Sequence, residues 1–256
     1  MFDLSNLISP IRQDIKDLQS GAIKTWSPTD IQIMNQCLLR LYKKKVLKHY
    51  GKQSPEGKRG DEFHTGVMEF IKGDSGALPA VKGHEDYICG LQEMYFDHAD
   101  KMHMEEKWGF NTDWSATGWN APDVWAKMKL DLMYFESDTC AAIDDWKTGK
   151  KFGNEAKHRL QGQAYTIGTF MKYPQLELIK TSFRYLDLKS DNTLSTTYTR
   201  DSIAPLISVW TNKAIAMTSM TDFPPSPSVS RCEYCEFRPW GDDVEPHMKC
   251  VHGVCR

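Results

Sequence analysis

Two neighbouring segments, 127–135 and 140–148, constrain the fold of this chain more than any other feature. Both have the pattern of β-strands, and the four residues between them, 136–139, are typical of a turn. We therefore predict a β-hairpin. Helical patterns precede the hairpin, and a helix, two strands and a last helix follow it. This order predicts an α/β fold with a central mixed β-sheet flanked by helices.

The predicted pairing of the hairpin brings two carboxylates together. Side chains alternate between the two faces of a strand, so a loop at 137–139 places Asp131 directly opposite Asp145. The same register pairs Met133 with Ile143. Two like charges in this position destabilise a sheet, so the pair favours a bound cation. Carboxylate oxygens suit Mg²⁺ or Mn²⁺, which keep several waters and accept phosphate oxygens.

An amine is predicted beside this carboxylate pair. Lys147 follows Asp145 by two residues and therefore lies on the same face of the strand. Its ammonium group can orient a water on the cation or help to deprotonate it. The alternative is a surface hairpin in which Asp and Lys only form ion pairs, which add little stability. The hairpin by itself favours neither interpretation.

The charges of the chain are balanced overall and uneven locally. The net charge is −2, but residues 40–60 contain eight Lys or Arg and one Glu, and a second basic run surrounds the hairpin. A basic run attracts the phosphates of DNA, although a single run is more often a solvated helix face. The candidates for phosphate contacts in these two runs are Lys43, Lys44, Lys45, Lys150, Lys151 and Arg159.

The hairpin resembles the active-site motif of the PD-(D/E)XK nucleases. Asp131, followed by IDDWKTGK at 143–150, is similar to the form of this motif found in RecB-type nucleases. Gln161 and Tyr165 match the Q-x-x-x-Y motif of that group on the next predicted helix, and GDEFH at 60–64 resembles its G-x-x-x-H helix start. The order and spacing of these motifs together make the resemblance specific.

The resemblance covers roughly residues 27–240 and implies a restriction-endonuclease-like core. It implies that Mg²⁺ or Mn²⁺ is held by the side chains of His64, Asp131 and Asp145 and by the backbone carbonyl of Trp146. Lys147 would assist the attacking water, and Gln161 and Tyr165 would contact the DNA strand or order the nucleophile.

The implied activity is hydrolysis of phosphodiester bonds by a metal-dependent DNA exonuclease. Its substrate would be single- or double-stranded DNA, taken at the ends, in recombination, repair or phage DNA processing. A recombination protein or a single-strand-binding protein is a candidate partner. One alternative is a single-strand or structure-selective endonuclease. Another, of a different class, is a nucleic-acid-binding subunit that does not cleave.

The carboxy-terminal segment contains cysteines with the spacing of a metal site. In some RecB-type nucleases one early and three late cysteines hold a [4Fe-4S] cluster, and this resemblance selects Cys37, Cys232, Cys235 and Cys250. The last four cysteines of the chain, which include Cys255, instead have the form of a structural zinc site. Free thiols are the third interpretation.

The chain of 256 residues is long enough for one domain with an appendage. We predict a nuclease domain over 1–222, with a helical part at 1–108 and a catalytic core at 109–222. A Pro-rich linker and Cys-rich tail at 223–256 would pack on it. The sequence has no run of eighteen apolar residues and no signal-peptide pattern. We therefore expect a cytoplasmic protein without a membrane partner.

Several local patterns predict further elements. A helix start at 27–30 predicts one helix with a basic end, and 51–60 is typical of a loop. Residues 85–105 are predicted as a helix and 109–126 as irregular structure. Aromatic side chains near the site could stack on unpaired bases, although tryptophan usually belongs to the core. These tryptophans are Trp108, Trp114, Trp119, Trp125 and Trp146.

Overall fold

The computed structural model describes residues 21–189, 192–241 and 244–255. Within these residues, five strands form the main sheet in the order β1–β5–β6–β7–β8. They are β1 (Met102–Met104), β5 (Leu132–Phe135), β6 (Cys140–Lys147), β7 (Leu178–Tyr185) and β8 (Leu194–Thr199). β6 and β7 are parallel, and the other neighbouring strands are antiparallel. The predicted mixed sheet is confirmed.

A small second sheet and seven α-helices complete the described chain. The second sheet has the order β3–β2–β4, formed by β2 (Lys107–Phe110), β3 (Ala116–Thr117) and β4 (Ala126–Lys129). The helices are α1 (Pro28–Gln36), α2 (Leu38–Lys45), α3 (Pro55–Lys72), α4 (Glu85–His98), α5 (Glu155–Lys172), α6 (Ala204–Thr218) and the short α7 (Val229–Cys232).

Helices cover both faces of the hairpin strand β6. Ala141 and Ile143 point to one side, where they share a core with Ile167 of α5. Trp146 points to the other side, where its core neighbours include Val67 of α3 and Ile88 of α4. A strand buried on both faces must satisfy every polar side chain that it carries. The acids of β6 are therefore held in place by the surrounding elements.

The segment 127–135, predicted as one strand, forms two strands that belong to different sheets. Leu130 and Asp131 lie between β4 and β5, where the backbone N–H of Leu130 donates to the carbonyl of Glu106 at 3.1 Å. The N–H of Glu105 donates to the carbonyl of Asp131 at 2.9 Å. Both paired strands thus bend at the same place. The bend was missed because it leaves the alternation of side chains almost unbroken.

The predicted helix with a basic end is two helices. Cys37 has an extended backbone, with φ of −163° and ψ of 119°, and lies between α1 and α2. Its N–H still donates to the carbonyl of Ile33, and its own carbonyl accepts from Leu41. The backbone groups of Cys37 therefore keep their hydrogen-bond partners across the break. The spacing of apolar residues continues through Cys37 and does not reveal the break.

Helix α3 begins earlier than predicted. Residues 51–60 were expected to form a loop, but the helix starts at Pro55, and the hydroxyl of Ser54 accepts a hydrogen bond from the N–H of Gly57 at 3.1 Å. A serine followed by proline is a strong helix-start signal. Gly60, expected near the helix start, consequently lies inside the helix.

Two further predictions of local structure were wrong in part. The helix expected over 85–105 ends at His98, and residues 102–104 form β1, which pairs with β5. The region 109–126, expected to be irregular, contributes to all three strands of the small sheet. In both places pairing with a distant strand outweighs the local pattern.

Candidate active site

The hairpin register agrees with the prediction at every paired residue, and the pairing ends one residue before Asp131 and Asp145. Met133 pairs with Ile143, as predicted, but the paired residues end with Leu132 opposite Asp144. Asp131 has left the ladder, and its carboxylate accepts a hydrogen bond from the backbone N–H of Trp146 at 2.8 Å. Asp131 and Asp145 are the next positions in this register, just beyond the last paired residues. The two acids are still neighbours at one end of the hairpin.

Asp131 interacts with the predicted imidazole. The Nδ1 atom of His64, on α3, lies 3.3 Å from Oδ2 of Asp131. Burial alone would raise the pKa of the Asp131 carboxyl, but the hydrogen bond and charge of His64 outweigh it and the net pKa is lowered. Burial opposes protonation of His64, yet its pKa is raised because Asp131 stabilises the imidazolium. The structure therefore brings together the first two predicted ligands.

Asp145 is the more deeply buried of the two acids, with 2% of its surface exposed. Burial raises the pKa of its carboxyl, Lys147 partly opposes this shift, and the charge of Asp131 adds to it. The ammonium of Lys147 is in direct contact with Oδ1 of Asp145, as the shared face predicts. When burial and a like charge raise the pKa of a carboxyl group, its ionised form is unfavourable, and a bound cation stabilises that form.

Gln161 and Tyr165 contact the acid from helix α5. Nε2 of Gln161 donates to Oδ2 of Asp145 at 3.1 Å and to the hydroxyl of Tyr165 at 2.6 Å. These two residues lie one turn apart on the helix, so they face the sheet together. Tyr165 is only 5% exposed. Both side chains thus fix the orientation of Asp145, and direct contact of Tyr165 with DNA does not fit its burial.

Glu105 is a candidate ligand that the sequence analysis missed. One ligand atom each of His64, Glu105 and Asp131 lie within 4.8 Å of one another. Glu105 has φ of 54°, a left-handed conformation between β1 and β2, and its side chain also contacts Lys129. It belongs to no motif, and its clearest sequence signal is the acidic stretch that surrounds it.

The donor set of this site fits a divalent cation. The imidazole of His64 and the carboxylates of Glu105 and Asp131 supply one nitrogen and several oxygen donors within 4.8 Å of one another. Asp145, whose pKa is raised by burial and by the charge of Asp131, lies outside this group of three. The backbone of Trp146, whose carbonyl is predicted as a ligand, lies beside Asp131. Hard oxygen donors with an imidazole suit Mg²⁺ or Mn²⁺.

The opposite face of β6 carries an acid in very different surroundings. Asp144 is 1% exposed, and its carboxylate accepts hydrogen bonds from Nε of Arg184 at 3.0 Å and from the hydroxyl of Tyr87 at 2.8 Å. The guanidinium of Arg184 also lies over the ring of Tyr87 at 3.8 Å. Asp144 is therefore neutralised and hydrogen-bonded within the protein.

Four of the five tail-site cysteines meet around one cavity. This cavity, of about 30 Å³, is lined by Cys37, Cys232, Cys235 and Cys250. Cys255, the fourth cysteine of the predicted zinc set, is exposed and is not part of the lining. Among the described residues no three cysteine sulphurs lie within 4.8 Å of one another. A tetrahedral zinc site would need sulphurs about 4 Å apart.

The lysines of α2 have partners within the protein. Lys43 is buried, and its ammonium donates to the carbonyl of Met248 at 3.1 Å. Lys44 pairs with Glu236 at 3.1 Å, and Lys45 pairs with an acid of α1 at 2.8 Å. Two of these lysines hold the tail, and phosphate binding by the three, expected from the charge pattern, would compete with these contacts and stays a prediction. The exposed candidates are Lys150 and Arg159, and Lys151 is half-buried.

The tryptophans proposed as base-stacking platforms belong to the core. Trp108, Trp114, Trp125 and Trp146 are at most 3% exposed. The fifth, Trp119, is half-buried and lies beneath the ammonium of Lys127 at 4.9 Å. Four of the five tryptophans therefore lie in the core, the usual location of this residue.

The sequence model of the PD-(D/E)XK nuclease superfamily matches residues 25–240, most of the chain. The chain belongs to this superfamily. The sequence resemblance predicted three features of this superfamily that the structure contains. They are the acids on the hairpin, the lysine beside them and the mixed sheet. The search of curated proteins gave no significant match.

Several solved structures align with this chain at low sequence identity. SSO0001 is 15% identical with a TM-score of 0.45, over 96% of this chain and 98% of that one. The alkaline exonuclease LHK-Exo from Laribacter hongkongensis is 9% identical with a TM-score of 0.38, over 79% and 92%. A phage-related exonuclease from Haemophilus somnus 129PT is 12% identical with a TM-score of 0.28, over 74% and 90%.

None of the helices in residues 21–189, 192–241 and 244–255 is both long and apolar enough to cross a lipid bilayer.

Proposed function

We propose that this protein is a metal-dependent DNA exonuclease of the RecB type, which hydrolyses phosphodiester bonds. The observation that carries the proposal is the buried carboxylate of Asp145 beside Asp131, with the ammonium of Lys147 in contact with it. Membership of the nuclease superfamily supports hydrolysis of nucleic acid. Exonuclease action and DNA as the substrate are our proposals.

His64, Glu105, Asp131 and Asp145 would hold Mg²⁺ or Mn²⁺, together with the Trp146 carbonyl. The ion supplies positive charge for the phosphoryl oxygens and acidifies water. Lys147 donates hydrogen bonds near this position and orients the attacking water. Gln161 keeps the Asp145 carboxylate in one orientation by its 3.1 Å hydrogen bond. The chain thus provides both the ion ligands and the group that positions the nucleophile.

A role in binding alone fits this site less well. DNA phosphates are negatively charged, and a surface that only binds them gains affinity from cations. The hairpin instead presents two acids, one of which is almost fully buried. Acids next to a phosphate are useful when a cation bridges them, as in hydrolysis.

Labelled linear and circular DNA incubated with Mn²⁺ or Mg²⁺ test this proposal. We expect mononucleotides or short products from linear DNA, intact closed circles, and no products with EDTA. Nicked circles would replace the exonuclease proposal with an endonuclease. The absence of any cleavage with either metal would contradict nuclease activity and favour a binding subunit.

We further propose that the cysteine cavity holds a [4Fe-4S] cluster. Cys37 from the α1–α2 break and three cysteines of the tail line the same cavity, and such clusters are held by four thiolates. Their sulphurs lie too far apart for a tetrahedral zinc site. A cluster at this point would join the tail to the amino-terminal helices. Zinc and free thiols are the alternatives.

Metal analysis of protein purified without oxygen tests the cluster. We expect iron and acid-labile sulphide, with a broad absorbance band near about 400 nm. Cys37→Ser should lose the band, whereas Cys255→Ser, a matched change of an exposed cysteine, should retain it. Stoichiometric zinc without iron, or equal loss of the band in both variants, would contradict this assignment.

The remaining expectations on organisation stay proposals. We propose that residues 1–222 form the nuclease domain and 223–256 a tail packed on it. The Arg40–Glu236 ion pair at 2.6 Å and the buried Phe237 support the packing of the tail. The boundary expected at residue 108 falls inside β2. We propose action in the cytoplasm, in recombination, repair or phage DNA processing, with a recombination or single-strand-binding protein as the partner.

A further inference from the structure

A large open groove lies between the amino end of α3 and the cysteine tail, and we call it the tail groove. Its volume is about 950 Å³. Residues from α2, α3, the loop after β6 and the tail contribute to it. Those used below are Lys52, Pro55, Glu56, Lys150, Glu233 and Tyr234. No catalytic role has been assigned to any of them.

Tyr234 presents an aromatic ring at this groove. It is 78% exposed, unusual for a large aromatic side chain. Its neighbours Cys232 and Cys235 both line the cysteine cavity, and the N–H of Cys235 donates to the carbonyl of Cys232 at 3.2 Å. The ring is therefore carried by a short turn that is anchored on both sides.

A second exposed ring lies in the loop after the catalytic strand, two residues from Lys150 of the groove. Phe152 is 81% exposed, in the loop between Gly149 and Gly153, whose left-handed φ angles of 97° and 86° shape this loop. The N–H of Gly149 donates to Asp187 at 2.8 Å, and the side chain of Asn154 donates to the carbonyl of Lys150 at 2.9 Å. The loop is thus held in a defined form that places Phe152 in solvent.

Helix α3 connects the tail groove to the candidate active site. Pro55, at its first turn, lines the groove, and His64 contacts Asp131. Between them, a Cβ atom on Gly60 would lie 3.4 Å from the hydroxyl of Thr148, so this helix passes close to the catalytic strand. Nine residues of helix span about 14 Å. This is about four nucleotides at the 3.4 Å spacing of stacked bases.

The charges of the groove are mixed. Positive charge comes from Arg40, Lys52, Lys150 and Arg238, and negative charge from Glu56, Glu233 and Glu236. Arg40 and Glu236 pair with each other. A duplex, with two closely spaced rows of phosphates, gains little from such a surface. A single strand can stack its bases on aromatic rings and needs few phosphate contacts.

We propose that the tail groove binds single-stranded DNA that leads to the active site, with Tyr234 and Phe152 as stacking platforms for its bases. The inference rests on the proposed nuclease function, because it makes the bound strand the substrate. In this proposal Tyr234 contacts the strand in the groove, and Phe152 contacts it in the loop that follows the catalytic strand.

Binding of fluorescein-labelled oligothymidine in EDTA, followed by anisotropy, tests the inference without cleavage. We expect Tyr234→Ala and Phe152→Ala each to weaken binding of a 12-mer about tenfold. Tyr234→Phe should bind like the wild type.

A matched control lies at the other end of α3. Phe96 is 63% exposed and packs near Gly73, about 27 Å from Pro55 along the helix axis. Phe96→Ala should bind the 12-mer with wild-type affinity.

The inference is overturned if Tyr234→Ala binds the 12-mer within twofold of the wild-type affinity. It is also overturned if Phe96→Ala loses as much affinity for the 12-mer as Tyr234→Ala does. A third contrary result is that Tyr234→Ala loses as much affinity for a 12-base-pair duplex as for the single strand. Failure of the proposed function is seen separately, as the absence of cleavage when Mn²⁺ is added to the wild-type protein.

Discussion

Asp144 and Asp145 are consecutive residues of one strand, both almost fully buried, and they have opposite environments. Asp144 faces α4, where Arg184 and Tyr87 donate hydrogen bonds to its carboxylate. Asp145 faces α5, close to a second carboxylate, and burial raises its pKa. Burial alone therefore does not distinguish a structural acid from a catalytic one. The partners on each face of the strand make the difference.

The two faces also differ in what a cation would change. The Arg184 guanidinium already neutralises Asp144, and burial keeps the pKa of Tyr87 well above its usual range, so this phenol remains a donor. On the other face, Lys147 is the close cationic partner of Asp145, and the negative charge of Asp131 lies nearby. A divalent ion would stabilise the second arrangement much more than the first.

The largest expected effect is that of Asp145→Asn on cleavage. The substitution keeps the shape and removes the charge that would hold the ion, so we expect cleavage with Mn²⁺ to fall about a thousandfold or more. The melting temperature should be unchanged or higher, because a buried like charge is removed. Asp138→Asn, in the exposed turn of the same hairpin, is the control and should remain fully active. Wild-type cleavage by Asp145→Asn would refute the assigned site.

Replacement of Lys147 should have the next largest effect. Lys147→Met keeps the aliphatic stem and removes the ammonium that would orient the water, and we expect about a hundredfold loss in the single-turnover rate. DNA affinity in EDTA should change little. Lys180→Met, on the exposed face of the adjacent strand β7, is the matched control. A rate loss of equal size in both variants would argue for a general effect of charge.

Asp144→Asn should affect stability rather than chemistry. The change leaves Arg184 without its carboxylate partner, and because this side chain is 20% exposed we expect a loss of about 2 kcal/mol in the free energy of unfolding. Urea unfolding measures it. A second change, Arg184→Met, should cost less in the Asp144→Asn background than in the wild type. Cleavage per folded molecule should stay near the wild-type rate. Lost cleavage at unchanged stability would show that the two faces are not distinct.

The sequence predicts those parts of the site that depend on local pattern. Alternation along the hairpin correctly pairs Met133 with Ile143 and places Lys147 beside Asp145, because both follow from strand geometry. The position of Asp131 outside the ladder could not be predicted in this way. It depends on where two paired strands bend together, which is a property of the assembled sheets.

Contacts between distant parts of the chain account for most of the remaining errors. Lys43 has the sequence context of a solvated basic helix, but its partner, Met248, lies 205 residues away. Glu105 enters the site through a left-handed turn that carries no motif. Cys37 is an exception, because the family resemblance indicated a long-range partnership with the tail cysteines that spacing alone could not show.

The smallest expected effect is on the pH dependence of stability, and it concerns one buried histidine on each face of strand β6. His158, on the Asp145 side, stacks on Phe183, and burial, helped by the charge of Lys147, lowers its pKa to about 3. Between this value and the usual value near 6.5, the unfolded chain binds a proton that the fold excludes. Stability is therefore fully present above about pH 6.5 and falls by about 1 kcal/mol by pH 5.5.

Urea unfolding of His158→Gln at pH 7.5 and 5.5 should show a smaller loss between the two pH values than the wild type. His84, on the Asp144 side, is also lowered in pKa by burial, but its hydrogen bond to the carbonyl of Leu188 favours the protonated ring. His84→Gln should consequently change the pH dependence less. An unaltered pH dependence in His158→Gln would mean that this ring is protonated in the folded protein. The Asp145 side would then already tolerate a second positive charge beside Lys147, and the contrast between the two faces would weaken.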